Sequence, residues 1–148
     1  MGAPIDNAAG RCLCGAVRFR AARVAAEVHA CHCGMCRRWS GGPELAVEAG
    51  TEVVFEGAEN IAVFRSSDWA ERAFCRICGS HLFFRTIETG GYSISPGLFD
   101  DESAFVLTEE IFIDHKPAFY GFAQATEKLI EAEVIEKYAP KTGTEEQG

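Results

Sequence analysis

The chain has 148 residues, 47% of them hydrophobic, with 11 Phe and a formal net charge of −8. That length and apolar content suit one compact domain, and the acidic balance excludes a phosphate-tracking surface, so no nucleic-acid partner is expected. No stretch reaches the roughly 18 uninterrupted apolar residues of a membrane span, and residues 1–10 lack a basic region followed by an apolar run, so a soluble, cytoplasmic protein is expected.

Residues 1–8 read as a disordered end. Short alternating or β-branched and aromatic runs then follow at residues 11–20, 24–30, 44–47, 53–55, 61–65, 72–74, 81–87, 91–95 and 110–114, each bounded by Gly, Pro, Asp or Ser. All are expected as strands. After Gly121 the period changes: Leu129, Ile130, Val134, Ile135 and Tyr138 fall at helical spacing, and Pro140 stops the run. A short C-terminal helix is expected there, with residues 141–148 as a second disordered end. The expectation is a mainly β single domain spanning residues 1–148, with no fixed-period repeat and no linker.

All seven cysteines lie in short-spaced groups: Cys12-Leu13-Cys14, Cys31-His32-Cys33-Gly34-Met35-Cys36 and Cys75-Arg76-Ile77-Cys78. Spacings of one or two residues bring thiolates from a single turn onto one centre, and zinc takes sulfur ligands tetrahedrally at about 2.3 Å. An odd number of thiols at metal-like spacing favours zinc over disulfides. Cys12 and Cys14, two apart on an expected strand, would share a face, and Cys75 and Cys78 bracket a knuckle ending in Gly79. Together the two pairs make a four-thiolate site that would close a long loop. The alternative for each pair is a buried hydrophobic thiol.

Cys31, Cys33 and Cys36 can give three thiolates to one ion but no fourth. Either His32, His29 or His81 completes a closed structural site, or the fourth position stays open to water or a substrate thiol. Spacing alone leaves both readings standing. Three thiolates around zinc carry a formal charge of roughly −1, and Arg37 and Arg38, directly after Cys36, could compensate it or grip the carboxylates of an anionic substrate. Plain surface solvation is the alternative for either arginine. Trp39, Phe83, Phe84 and Phe119 read as core or pocket wall. Nucleotide-binding glycine fingerprints, G-x-S-x-G elbows and HExxH helices are absent from the sequence.

The blocks Gly10-Arg-Cys-Leu-Cys-Gly-Ala-Val-Arg-Phe19, Cys31-His-Cys-Gly-Met-Cys-Arg-Arg38 and Phe74-Cys-Arg-Ile-Cys-Gly-Ser-His-Leu-Phe83 resemble, in order, those of the glutathione-dependent formaldehyde-activating enzymes and their centromere protein V relatives. The segment from Ile111 to Phe119 is similar to the family's last strand, with Phe119 where a tryptophan is expected. The resemblance implies an Mss4-like fold of twisted antiparallel sheets stapled by two zinc ions per chain. It implies a structural zinc on Cys12, Cys14, Cys75 and Cys78 and a catalytic zinc on Cys31, Cys33 and Cys36. The implied activity is condensation of formaldehyde with glutathione to S-(hydroxymethyl)glutathione, a carbon–sulfur lyase reaction, so a small thiol and an aldehyde are the expected partners. His32 and His81 are candidates for proton transfer or for orienting a ligand. A non-catalytic zinc-stapled binding module and a thiol-redox sensor using Cys33 and Cys36 are the competing readings.

Overall fold

A computed structural model describes residues 2–138. In chain order the elements are β1 (Ile5–Arg11), β2 (Arg18–Val24), β3 (Glu27–Cys31), α1 (Gly34–Ser40), β4 (Glu44–Glu48), β5 (Val53–Glu56), β6 (Ile61–Arg65), β7 (Ala70–Cys75), β8 (His81–Thr86), β9 (Tyr92–Ile94), β10 (Val106–Ile111), β11 (Glu127–Leu129) and α2 (Glu131–Tyr138). The protein is mainly β, with its strands in two sheets. Among the described residues, no helix is long and apolar enough to cross a membrane.

The residues sort into two compact units. The first takes the chain up to Val28 and then Ala46–Val106; the second takes His29–Leu45 and the residues from Leu107 on. Each is assembled from stretches far apart in sequence, which is why no linker marks them.

In the first unit β1, β2 and β5 form an antiparallel three-stranded sheet, and β4, β9, β8, β7 and β6 pair antiparallel in that order. Alternation decides which side chains are buried: β2 hides Phe19, Ala21 and Val24 and exposes Arg18 and Arg20. Phe19 meets Phe99 edge-on at 5.1 Å, and Phe83 meets Tyr92 at 4.8 Å. Burying one such ring is worth roughly 2 kcal/mol, and Phe19, Phe83 and Phe99 are all buried. A register shift between Ala73 and Phe74 interrupts the β7–β8 ladder just before Cys75; such a bulge re-aims the side chains that follow it.

In the second unit β10 and β11 pair in parallel, Glu110 opposite Lys128. α2 buries Val134 beside buried Leu129 of β11. The helix is held from its far end by Glu109, which accepts hydrogen bonds from Lys137 Nζ (2.6 Å) and Tyr138 OH (2.8 Å).

Several expected boundaries shift. Residues 5–8, read as part of a disordered end, open β1, because Ile5, Asp6 and Ala8 pair with Val24, Arg23 and Ala21 of β2; tertiary pairing supplies what the weak alternation of Ile-Asp-Asn-Ala-Ala does not. The strand expected at 11–20 is broken at residues 12–17 by a turn, so Cys12 and Cys14 stand on a knuckle rather than on one strand face. The strand expected at 110–114 starts earlier and stops at Ile111, since Phe112 has φ 57° and Ile113–His115 form a 3₁₀ turn. Leu129 belongs to β11 and not to the C-terminal helix. Residues 141–148 lie outside the described residues.

Candidate metal centres

In the first unit, Cys12, Cys14, Cys75 and Cys78 converge, their sulfurs all within 4.8 Å of one another. Cys12 and Cys14 sulfurs are 3.7 Å apart, and those of Cys14 and Cys75 are 3.9 Å apart. A tetrahedron with arms of about 2.3 Å has edges of about 3.8 Å, whereas a disulfide needs about 2.05 Å. The donor set therefore fits a single tetrahedral ion.

Two similar knuckles build this site. Gly15 N–H donates to the Cys12 carbonyl (3.1 Å) and Gly79 N–H to the Cys75 carbonyl (2.8 Å), with φ of 81° at both glycines. A side chain there would be strained, so each knuckle closes on glycine. Val17 N–H donates to Cys12 Sγ (3.4 Å) and Cys78 N–H to Cys75 Sγ (3.5 Å). Ser80 ties the knuckles together: its Oγ accepts from Leu13 N–H (3.0 Å) and lies 3.2 Å from Cys78 Sγ. Hydrogen bonds from the Ser80 side chain and backbone push the Cys78 thiol down to about 5. At Cys12, burial works against ionisation, yet the Val17 N–H and the neighbouring thiols hold the group below its usual range.

In the second unit Cys31 ends β3, Cys33 caps α1, and Cys36 lies one turn into that helix. Cys33 Sγ accepts from Cys36 N–H (3.4 Å), an N-cap bond of the kind worth about 1 kcal/mol. The helix stops at Gly41, whose φ of 89° lets its N–H return to the Arg37 carbonyl (2.8 Å). The three sulfurs lie within 4.8 Å of one another, and among the described residues no fourth Cys, His, Asp or Glu ligand atom joins them. The bond from Cys31, and then that from Cys36, pushes the Cys33 thiol down to about 2. In return the bond to Cys33 pushes Cys31 up to about 12, and bonds to Cys31 and Cys33 push Cys36 above the usual thiol range. The lowering at Cys33 is thus matched by raising at its two neighbours, and a cation bound to all three would take the place of their protons.

His32 is not a fourth ligand. Its ring is 0% exposed, with Nδ1 2.8 Å from Tyr120 OH and Nε2 2.8 Å from Glu110 Oε1. Glu110, 2% exposed, also accepts from Thr126 Oγ1 at 2.6 Å. Burial opposes the carboxylate's charge, but the bonds from Thr126 and His32 hold Glu110 below the usual carboxyl range. His29 and His81 are likewise outside the trio of sulfurs. Tyr120, Glu110 and Thr126 escape a sequence reading: they sit 88, 78 and 94 positions from His32 and carry no motif. Only a hydrophilic Glu inside a strand run hinted at them.

Arg37 donates from Nε to the His32 carbonyl (2.8 Å), which leaves its other nitrogens for a ligand. It lines a cavity of about 320 Å³ with Arg38, Gly34, Gly41, Gly42 and Phe119. Phe119, 81% exposed, forms a wall. Of the other aromatics singled out from sequence, Phe83 is core, Phe84 packs edge-on to Trp69 at 5.7 Å, and Trp39 is half-buried.

The sequence model described as glutathione-dependent formaldehyde-activating enzyme matches residues 7–115. A Schizosaccharomyces pombe protein named as an uncharacterized lyase is 33% identical over 127 residues, covering 85% of this chain and 93% of that protein. A Halomonas elongata protein, provisionally named a glutathione-dependent formaldehyde-activating enzyme, is 32% identical over 83 residues, 50% of this chain and 53% of its own length. The crystal structure of a Rhodobacter sphaeroides protein matches with a TM-score of 0.54 and 26% identity, covering 62% of this chain and 87% of that one. All seven cysteines fall within the matched span 7–115, and Tyr120 falls beyond it.

Proposed function

The chain belongs to the glutathione-dependent formaldehyde-activating enzyme family, and from that premise we propose that it is a cytoplasmic, zinc-dependent carbon–sulfur lyase. It joins a small aldehyde such as formaldehyde to a low-molecular-weight thiol such as glutathione, in the manner of an S-(hydroxymethyl)glutathione synthase. The observation that carries this reading is the trio Cys31, Cys33 and Cys36, which has no fourth side-chain ligand among the described residues and lies in the same unit as an arginine-lined cavity. Closed structural sites have four protein ligands, whereas catalytic sites keep a position free.

The reaction makes one bond, between the thiol sulfur and the carbonyl carbon. The sulfur's proton ends on the former carbonyl oxygen, and nothing is oxidised or reduced. A zinc ion on the trio supplies Lewis acidity and favours a thiolate over a thiol. Arg37 and Arg38 grip a carboxylate of the thiol substrate, Arg37 with its guanidinium already fixed at Nε. Cys12, Cys14, Cys75 and Cys78 hold a second, structural zinc.

The uncatalysed addition is itself fast and reversible, so exchange at equilibrium, followed by NMR with formaldehyde and glutathione, is the test. Wild-type protein should exchange faster than both buffer and Cys33→Ser, and metal analysis of protein purified without chelator should find close to two zinc per chain. Equal rates across several thiols would leave a zinc-stapled binding module as the better account. A trio without metal would favour a thiol-redox sensor.

A further inference from the structure

Among the described residues β6 has a strand on one side only, since it ends the row β4, β9, β8, β7, β6. The register with β7 decides which of its main-chain groups are left over. Arg76 N–H donates to the Asn60 carbonyl (2.8 Å) and Ser66 N–H to the Ala70 carbonyl (3.2 Å), so the pairs flanking the strand are of the hydrogen-bonded kind. Bonded and non-bonded pairs alternate in an antiparallel ladder. Ala62 and Phe64 therefore bond to Phe74 and Arg72, whereas Ile61, Val63 and Arg65 turn their N–H and C=O groups to the open edge.

An open edge is a template for another strand, and proteins blunt it with charges, prolines, bends or short length. The other edges are blunted in this way. β1 carries Asp6 and Asn7, the latter at φ 58°, and is bridged to Phe99 through Gly10. β11 has three residues, two of them the charged Glu127 and Lys128. β5 lies between Glu52 and Glu56, so a second β5 laid antiparallel would set acid against acid. In β6, by contrast, Ile61 to Phe64 run without a charge, with Val63 54% and Phe64 55% exposed. Its ends differ in sign: Glu56 and Glu59 precede it and Arg65 closes it. The Arg65 guanidinium is held by the Ser67 and Asp68 carbonyls through Nε and Nη2, which leaves Nη1.

We propose that β6 is a dimerisation edge, on which a second copy of this chain lays its own β6 antiparallel about a two-fold axis at Val63. The strand is its own complement in that register. Val63 meets Val63 of the second copy and Ile61 meets Arg65, each through its outward N–H and C=O, for roughly six main-chain hydrogen bonds. Between them Phe64 faces Ala62 of the second copy, a ring opposite a methyl group, in the closer non-bonded pairs. Arg65 of each copy comes to the acidic end of the other. The arrangement uses the open edge of each copy once, so it closes at two. A five-residue edge makes a small interface, and the dimer is weak and reversible, with a dissociation constant on the order of 10 to 100 μM. The dimer is independent of the lyase reading.

Sedimentation equilibrium on the full chain, purified without chelator and run from about 10 μM to 1 mM, should show a monomer–dimer equilibrium. Amide hydrogen exchange supplies a signature that no other interface would give. Protection of Ile61, Val63 and Arg65 should rise with protein concentration, while Ala62 and Phe64, bonded to β7, stay protected throughout. Val63→Lys sets two ammonium groups face to face on the axis and should weaken association by about 10-fold or more. Val63→Pro removes an N–H that β7 does not use and should weaken it to a similar degree; if that variant does not fold, Val63→Lys, at an exposed position, carries the test. Arg65→Glu should weaken association by roughly threefold, and Glu59→Lys added to the same chain should restore it. A wild type that stays monomeric up to about 1 mM, a dimer indifferent to Val63→Lys, or protection at Ile61, Val63 and Arg65 that does not change with concentration would overturn the proposal. Growth beyond two copies would overturn it as well.

Discussion

The two thiol clusters are built on opposite plans. The four-thiol cluster gathers ligands from segments 61 positions apart in sequence, Cys14 and Cys75, onto two glycine-closed knuckles joined by Ser80. The trio comes from six consecutive residues around the start of one short helix, and its nearest sequence neighbour, His32, opens a buried polar chain instead of adding a ligand. An ion held by distant segments stabilises the fold directly, because its binding free energy is set against chain entropy. An ion held by neighbours in sequence organises little beyond their own turn. It is therefore the trio that can leave a coordination position free without loosening the fold.

The sharpest way to break this contrast is to remove one thiol from each cluster. Cys14→Ser should fail to give soluble folded protein, since a structural zinc contributes on the order of 10 kcal/mol, comparable to a whole domain's stability. Cys33→Ser should keep a wild-type circular dichroism spectrum and lose one equivalent of zinc together with the exchange activity. The reverse pattern would mean that the roles of the clusters are exchanged.

A smaller effect tests the polar side of the trio. Glu110→Gln should lower stability by about 2 kcal/mol at pH 7, the scale of hydrogen bonds to a charged group. The folded protein holds the Glu110 carboxyl below its ordinary value of 4.5. Its ionised form therefore stabilises the fold above that pH, and the contribution is lost as pH falls through the folded value. Denaturant midpoints of wild type and variant should differ at pH 7 and converge in acid; a constant gap would remove the charge from the account. The smallest change is Ser80→Ala, which takes away the bond from Leu13 N–H and the contact with Cys78. About 1 kcal/mol should be lost, read as a lower midpoint with the zinc content kept.

What the sequence displayed follows the same division. Cys12, Cys14, Cys75 and Cys78 were legible because metal ligation imposes spacing, and β6 at Ile61–Arg65 because four consecutive apolar residues, three of them β-favouring, stand between turn signals. β1 was not, since Asp6, Asn7 and Gly10 are poor strand formers and the strand exists through its ladder with β2. α1 was hidden for another reason: seven residues are too few to show a period, and its cap is a cysteine, which is not among the usual capping residues. The chain of Tyr120, Glu110 and Thr126 had no local signature at all, because hydrogen bonds between distant residues leave no spacing to read. Trp39 and Phe119 looked alike in the sequence, and only packing separates a half-buried ring from one left 81% exposed.

Exposure also divides the two clusters in a way that bears on chemical ageing. Cys14 stands at the surface, whereas Cys31 and Cys36 are buried. Oxidants reach exposed sulfurs most readily, and the exposed sulfur here, that of Cys14, belongs to the four-thiol cluster. A sulfenic acid formed at Cys14 has the Cys12 thiol 3.7 Å away to condense with, a product that removes two ligands at once. If that cluster holds the structural zinc proposed above, oxidation there would loosen the fold before it reached the buried Cys31 and Cys36.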